Sequence, residues 1–217
     1  MSQPASQPRA LRKRERTRGE LVAAAEGLVA RHGLDAVSID DIVEAADVAK
    51  GTFYTHFADK NDLAAAIALR GRMELEERIT ALNEGIKDAA VRMANGLSTM
   101  FLFAIQNSVR ARALLRLQPS VVDPDEQMNA GVRGDIVLGL KTKRFTVVAL
   151  NASVVTIIGG VLSATVRLSD TNHRVPDPYG FATNVIATLL ITLGLKPAEA
   201  SRIAGAAIAA RKKEQKP

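Results

Sequence analysis

The segment Asp47–Lys60, DVAKGTFYTHFADK, combines rings and hydrogen-bonding groups in a chain that is only 4% aromatic. It contains two phenylalanines, a tyrosine, a histidine, two lysines and two threonines. Buried segments seldom carry so many polar groups, and exposed loops seldom carry so many rings. Hydroxyl, ammonium and imidazole groups bind phosphates and base edges, so this mixture is typical of a helix that lies on nucleic acid.

The sequence offers little for catalysis or metal binding. Its three histidines, His32, His56 and His173, lie far apart and lack metal-ligand spacing. The absence of cysteine excludes disulfides, thiolate catalysis and cysteine-based zinc sites. We find no glycine-rich phosphate loop, nucleophile elbow or HExxH motif. We therefore expect neither an enzyme nor a bound cofactor or metal.

Helical periodicity runs through almost the whole chain, without the alternation of a strand, and this predicts an all-α fold. Ser38 and Asp41 form the pattern of a capping box at the start of a second helix. Only Asp47 and Val48 separate that helix from a third short one. Asp59 is expected to cap a fourth helix.

Three short helices joined in this way describe a helix-turn-helix, whose last helix enters the major groove. We expect apolar side chains of the third helix to turn inward and pack against the first two helices. The inward residues are Val48, Phe53 and Phe57, packed on Leu28, Ile39 and Ile42. The outward residues are Lys50, Thr52, Tyr54, Thr55 and His56. Gly51 would let the backbone come close to the duplex.

The segment 38–63, SIDDIVEAADVAKGTFYTHFADKNDL, resembles the helix-turn-helix of the TetR family of bacterial transcriptional regulators. The match covers about residues 15–65, and KGTFYTHF followed by DK is its most specific part. The resemblance implies base contacts from Lys50, Gly51, Thr52 and Thr55. It implies phosphate contacts from Ser38, Tyr54, His56 and Lys60.

Two positions depart from the family pattern, which often has glycine and serine in the turn. This chain has Asp47 and Ala49 there. Aspartate tolerates left-handed backbone geometry, whereas Ala49 has no side-chain oxygen with which to cap the third helix.

The N-terminal residues are basic, but their role stays open. Residues 1–14 are predicted to be a basic disordered arm, residues 15–70 the helix-turn-helix domain, and residues 71–217 a second domain. An alternative to a solvated tail is a strand-like arm that places Arg12, Lys13 and Arg14 in the minor groove. The overall charge of +6 does not by itself indicate a DNA-binding face, because residues 19–70 are net acidic.

For residues 71–217 the resemblance implies a helical ligand-binding and dimerisation domain. We expect helices over about 88–107, 145–168 and 178–194, a last helix from Pro197, and a loop or weak helix over 119–134. Soft and aromatic side chains line cavities well, although the same spacing also suits core packing. The candidates for a ligand pocket are Met93, Met100, Phe101, Phe103 and Asn151.

The segment Thr146–Val166 has 21 residues without a charge, which is long enough to cross a membrane. It also carries six hydroxyl or amide side chains, and the chain starts with a polar, basic segment that is unlike a secretory signal. We favour a buried helix that pairs with its copy in the four-helix bundle of a homodimer.

The expected function is a ligand-responsive, sequence-specific DNA-binding regulator. We expect a cytoplasmic homodimeric repressor that leaves its double-stranded operator when a small-molecule effector binds. The effector itself is not identified by the sequence. The alternative is a membrane-tethered helical interaction protein that uses residues 146–166 as its span.

Overall fold

A computed structural model of the chain describes residues 9–108, 110–112, 123–125 and 129–214. The helices in this part are α1 (Arg9–His32), α2 (Ile39–Ala45), α3 (Lys50–His56), α4 (Lys60–Leu82), α5 (Ala89–Gln106), α6 (Ala130–Lys141), α7 (Leu150–Ser169), α8 (Pro178–Thr192) and α9 (Pro197–Lys213). No β-strand occurs among these residues. The predicted all-α class is therefore confirmed.

The chain divides into two compact units, Met1–Gly71 and Arg72–Pro217. The division falls inside α4, one residue beyond the predicted domain boundary. Helices α1 to α3 belong to the first unit, and α5 to α9 belong to the second.

The core of the first unit forms because each of its helices has one apolar face. α1 contributes Leu21, Val22, Ala25 and Val29, and α2 contributes Ile42 and Val43. Phe53 of α3 and Phe57 at its end are also buried. Leu28, Ile39 and Val48, which were expected in this core, are only half-buried.

The predicted disordered arm is wrong for Arg9–Arg14, because α1 begins at Arg9. The segment Arg9–Arg18 consists almost entirely of strong helix formers, so it extends the helix that begins as an amphipathic stretch further on. Arg16 and Glu20 are one turn apart, and the ion pair of 3.4 Å between Arg16 Nε and Glu20 Oε1 stabilises this part of the helix. Contact of Arg12, Lys13 and Arg14 with DNA stays a prediction, and these side chains are exposed on a helix.

The second unit is organised around α5, which contacts α6, α7, α8 and α9. Its buried face includes Met93, Leu97 and Phe101. The helix is as long as predicted, because Asp88 caps its start and Asn107 ends it. α9 packs on both α5 and α8, which closes the core.

Two helix boundaries in the second unit differ from the prediction. α6 begins at Ala130, inside the segment predicted as a loop or weak helix, and is stabilised by burial of Ile136 and by the ion pair of Asp135 with Arg92. The rest of that segment lies mostly outside the described residues. α7 begins at Leu150 and not at Phe145, because Thr146 N–H donates to Leu193 O at 2.9 Å and holds the chain extended before the helix.

α7 is long and apolar enough to cross a membrane by length and composition. In the structure it is a core helix, in contact with α5, α6 and α8. Its buried side chains include Val154, Ile157 and Val161. Burial in the second unit thus explains the apolar residues of its inner face, and its contacts with three other helices favour a core helix over a membrane span.

Candidate nucleic-acid interface and ligand cavity

The start of α2 is fixed by the predicted capping box. Ser38 Oγ accepts from Asp41 N–H at 3.1 Å, and Ser38 N–H donates to Asp41 Oδ2 at 2.8 Å. The Ser38 hydroxyl also donates to Asp41 Oδ2 at 2.6 Å. These hydrogen bonds from Ser38 lower the pKa of Asp41. A phosphate contact from Ser38 would therefore have to replace a bond to Asp41.

The turn between α2 and α3 depends on Asp47, which has φ of 53°. Its N–H donates to Glu44 O at 3.1 Å, and Val48 N–H donates to Val43 O at 3.0 Å. This is the Schellman arrangement, in which a glycine is usual at the left-handed position. Asp47 thus adopts the left-handed geometry that aspartate tolerates at this position.

Buried aromatic side chains fix the position of α3, and no side chain caps its start. Ala49 is its N-cap residue and makes no side-chain hydrogen bond, as predicted. Phe53 and Phe57 are 0% and 1% exposed, with ring centroids 5.7 Å apart. The Arg18 guanidinium of α1 lies 4.9 Å from the centre of the Phe57 ring. The aromatic residues therefore anchor the helix, which leaves its polar face outward.

That outward face carries the residues predicted to contact bases. Lys50 and Thr55 are exposed, and Thr52 is half-buried. Thr55 Oγ1 donates to Gly51 O at 3.0 Å, so its lone pairs remain available as acceptors. A Cβ at Gly51 would meet no atom within 4 Å, so the surface there is open.

Lys50 is paired in the free protein. Its Nζ lies 2.7 Å from Asp40 Oδ1, and this hydrogen bond raises the pKa of Lys50. Both side chains are largely exposed, so such a pair contributes little to stability and can be exchanged for another acceptor. A base contact by Lys50 requires that exchange.

Two of the predicted phosphate-binding residues lie at the end of α3. Tyr54 is 55% exposed and packs edge-on against Phe53, with ring centroids 5.4 Å apart. His56 is half-buried, and its pKa is lowered by burial and by the charges of Arg14 and Arg18. The first turns of α1 thus add positive charge beside the imidazole.

Lys60 has a role that the sequence did not reveal. Its Nζ donates to Leu34 O and to Val37 O, each at 3.0 Å. Two of its three N–H donors therefore join the start of α4 to the connection between α1 and α2. The phosphate contact stays a prediction, and one N–H donor of Lys60 is left for it.

The second unit contains a cavity of about 830 Å³, which is in the size range of small-molecule sites. It is lined by α4, α5, α6 and α7, and most of its wall is apolar. Met93, Met100 and Phe103 are among the lining residues. Phe101 and Asn151 are not, which corrects the prediction for these two. Phe101 is fully buried in the core, and Asn151 is exposed and accepts from Arg133 Nη1 at 2.8 Å.

One part of the cavity wall is formed by polar residues that are hydrogen-bonded to one another. Arg92 Nε donates to Asp135 Oδ1 at 2.6 Å, and Arg92 Nη1 donates to Asn83 O at 3.0 Å. Burial raises the pKa of Asp135, while the hydrogen bond from Arg92 acts in the opposite direction. Asn95 Nδ2 donates to Asn83 Oδ1 at 3.0 Å behind this pair. Within the described ranges, no cluster of acidic residues and histidines could hold a metal ion.

Sequence reasoning missed these polar lining residues, and it missed Thr165 in α7. The available signal was a few polar side chains placed inside otherwise apolar helices. Such residues are buried only when a partner or a function compensates for the loss of water.

Family models match both units of the chain. One, described as bacterial regulatory proteins of the tetR family, matches residues 21–67. The other, described as the tetracyclin repressor-like C-terminal domain, matches residues 88–206 and so covers more than half of the chain.

Curated relatives are similar over part of their length. The repressor NemR of Escherichia coli (strain K12) is 27% identical over 129 residues, which are 56% of this chain and 64% of NemR. An uncharacterised helix-turn-helix regulator of Bacillus subtilis, YvdT, is 47% identical over 49 residues, which are 23% of this chain and 25% of YvdT. The matched segments thus span less than two thirds of these relatives.

Solved structures are similar over nearly the whole chain. RolR in complex with resorcinol has a TM-score of 0.66 and 26% identity, covering 89% of this chain and 95% of that one. A tetR-family regulatory protein from Rhodococcus has a TM-score of 0.62 and 21% identity, covering 83% and 98%. The second of these similarities concerns the fold alone.

Proposed function

The chain belongs to the TetR family of bacterial transcriptional regulators, and we propose that it is a homodimeric repressor that a small molecule releases from operator DNA. The proposal includes a cytoplasmic location and a regulatory, non-catalytic role. Lys50, Gly51, Thr52 and Thr55 are assigned to bases. Ser38, Tyr54 and His56 are assigned to phosphates, with Lys60 in a mainly structural role.

The observation that carries this proposal is the division of α3 into two faces. Phe53 and Phe57 are buried, while Lys50, Tyr54 and Thr55 are exposed. A helix anchored in this way presents its polar groups in a fixed orientation, which recognition of base edges requires.

Selection of bound fragments from random or genomic DNA by the purified chain tests the proposal directly. Enrichment of one palindromic sequence, with half-sites about one helical turn apart, is the expected result. Recovery of fragments without a common sequence would contradict sequence-specific binding.

Lys50→Ala sharpens the same experiment. If Lys50 donates to a base, this change should weaken binding to the selected operator about tenfold to a hundredfold and weaken binding to a scrambled duplex much less. Lys141→Ala is a matched control, because Lys141 is exposed in the second unit. Equal losses on both duplexes from Lys50→Ala would assign it to phosphate.

Dimer formation is supported by the outer faces of α7 and α8. The exposed residues of these helices carry no charge: Asn151, Ala152, Val155, Thr156, Ser163, Val166, Asn184, Thr188, Ile191 and Thr192. Val155, Val166 and Ile191 are 41%, 57% and 40% exposed, although their side chains are apolar. Two copies of this surface can form a four-helix bundle.

Sedimentation of the purified chain tests the dimer. The wild-type chain should sediment as a dimer, and Val166→Glu should sediment as a monomer with weaker operator binding, because a carboxylate would be buried between copies. Val148→Glu is the control, since Val148 is exposed outside both helices. A wild-type monomer at micromolar concentration would contradict this part of the proposal.

Response to an effector is supported by the cavity and by α4. This helix begins in the first unit, and its second half contributes lining residues such as Arg72, Leu75 and Ile79. RolR, which shares the fold, was solved with resorcinol bound. A ligand that prefers one position of α4 would change operator affinity by the difference between its affinities for the two states.

Titration of candidate molecules into the protein–operator complex tests this response. An effector should dissociate the complex at concentrations that saturate the cavity. If ligands that bind the cavity leave operator affinity unchanged, the coupling between ligand and DNA is refuted.

A further inference from the structure

One hydroxyl group in the cavity wall has no hydrogen-bond partner. Thr165 of α7 lines the cavity and is 8% exposed. Its Oγ1 is fully buried and, within the described part of the chain, makes no hydrogen bond. Burial of an unpaired hydroxyl costs free energy, so such a group in a ligand-sized cavity indicates a partner that the chain does not supply.

Other helical hydroxyls of the second unit show that this is not a general property of the fold. Threonine and serine in a helix usually donate to a carbonyl oxygen one turn earlier. Thr156 donates to Ala152 O at 2.8 Å, and Thr183 donates to Tyr179 O at 2.9 Å. Thr165 differs from these two because its hydroxyl is buried and its own helix does not satisfy it.

The charged residues of the cavity wall indicate which ligands fit. Three carboxylates, from Glu76, Glu84 and Asp135, face two guanidinium groups, from Arg72 and Arg92. Arg72 Nε is 2.9 Å from Glu76 Oε1, and Arg92 Nε is 2.6 Å from Asp135 Oδ1. Each cation that the described wall contains is thus already paired. The described wall is net negative, so it repels an anionic ligand and does not repel a neutral one.

The remaining wall is apolar and soft. It includes Met93, Leu97, Met100, Phe103 and Ile158. Methionine and aromatic side chains adapt to flat or irregular apolar bodies. Such a wall favours a ligand that is mostly hydrocarbon and brings only a few polar groups.

We propose that the effector is a neutral, largely apolar molecule with a hydroxyl group that hydrogen-bonds Thr165 Oγ1, and that the paired Arg92 and Asp135 exclude carboxylates. This inference rests on the proposed function, because it names the ligand class of the same cavity. It is tested without DNA, so its outcome is independent of repression.

The experiment compares ligands that share one body and differ in one group. Naphthalene, 2-naphthol and 2-naphthoate form one series; biphenyl, 4-phenylphenol and biphenyl-4-carboxylate form a larger one. Dissociation constants are measured by titration into the full chain. In each series the hydroxyl compound should bind about threefold to tenfold more tightly than its parent, as one hydrogen bond predicts. The carboxylate should bind more weakly than both.

Two variants locate the effect. Thr165→Val keeps the shape and removes the hydroxyl, so the preference for the hydroxyl compound over its parent should fall to about onefold. The melting temperature should not fall, since no intramolecular hydrogen bond is lost. Thr183→Val removes a hydroxyl that bonds to its own helix outside the cavity wall, and it should leave the preference unchanged.

Asp135→Asn tests the exclusion of carboxylates. This change leaves the Arg92 guanidinium without its carboxylate partner, so 2-naphthoate should gain affinity about tenfold relative to 2-naphthol. A circular dichroism spectrum like that of the wild type shows that the variant is folded.

Three results would overturn the proposal. They are tighter binding of the carboxylates by the wild-type chain, a hydroxyl preference that survives Thr165→Val, and failure of every hydroxyl compound to bind. If hydroxyl compounds bind as expected but no DNA sequence is selected, the ligand class stands and the repressor function fails.

Discussion

The exposed face of α3 and the cavity of the second unit use polar groups in opposite ways. On α3, Lys50, Tyr54 and Thr55 are exposed, and the buried Phe53 only positions them. In the cavity, Thr165 is buried among apolar side chains. A polar group at the surface is hydrated at little cost until DNA replaces the water, whereas a buried one is costly until a ligand arrives.

This difference explains how each site can be specific. α3 gains specificity from the pattern of donors and acceptors along one helix. The cavity gains specificity by binding weakly any molecule that leaves its polar groups unpaired or that brings a negative charge near its carboxylates. Mutations in the two sites should therefore affect different activities, operator binding at α3 and ligand selectivity at the cavity.

The largest expected effect is on folding of the separate cores. Phe53→Ala should lower the free energy of unfolding of the first unit by about 3–5 kcal/mol, because a fully buried ring is lost. It should abolish operator binding and leave 2-naphthol binding intact. Phe101→Ala, at an equally buried position of the second unit, should abolish ligand binding, and it should also weaken operator binding because the proposed dimer surface lies in that unit. Denaturant titration with both binding assays checks this; loss of both activities from Phe53→Ala would show that the units do not fold separately.

Removal of the Lys60 ammonium should have the next largest effect. Lys60→Met deletes two charge-assisted hydrogen bonds to Leu34 O and Val37 O, so the free energy of unfolding should fall by about 1.5–3 kcal/mol. Lys141→Met, at an exposed position, should change it very little. A normal stability combined with a smaller salt dependence of DNA binding would instead assign Lys60 to phosphate.

Gly51→Ala should separate stability from DNA binding. The methyl group meets open space in the free protein and improves helix propensity, so stability should rise by about 0.5–1 kcal/mol. If the backbone lies close to the duplex, operator affinity should fall about tenfold to a hundredfold through overpacking.

Gly205→Ala is the matched control, because a Cβ there also meets open space inside a helix of the second unit. It should stabilise the chain without a change in operator affinity. Unchanged operator affinity in Gly51→Ala would place the duplex farther from α3.

The pH dependence of operator binding should report on His56. Burial and the nearby Arg14 and Arg18 lower its pKa in the free protein, and a bound phosphate would raise it. The affinity gain should be fully present below the free-protein pKa and lost as the pH rises through the pKa of the complex. We expect a loss of about fivefold over the range in which the imidazole titrates.

Binding isotherms at a series of pH values check this expectation. His56→Gln should remove the pH dependence. His173→Gln, a change at an exposed residue of the second unit, should retain it. An unchanged pH profile in His56→Gln would show that His56 does not contact phosphate.

The smallest expected effect concerns the start of α3. Ala49 provides no side-chain cap, so Ala49→Ser should stabilise the first unit by about 1 kcal/mol through a hydrogen bond to a free N–H of the helix. Thermal melting measures the gain. No change would mean that water or a neighbouring group already satisfies those N–H groups.

Features decided by neighbours in the chain were predicted well. The Ser38–Asp41 capping box and the uncapped Ala49 each depend on residues within a turn of one another. The burial of Phe53 and Phe57 follows from the period of the helix. The starts of α1, α6 and α7 were predicted less well, because continuing a helix depends on packing and on nearby chain as well as on propensity.

The sequence by itself determined that this chain is helical, that α2 and α3 form a tight turn, and which side of α3 is polar. It could do so because local hydrogen bonds and helical period act over three or four residues. Only the tertiary structure decided the partners of Lys60, which lie 26 and 23 residues away, and the pairing of Arg92 with Asp135 across 43 residues. The cavity was also decided at that level, because it is a space left by four helices, and whether Thr165 has a partner depends on how those helices pack.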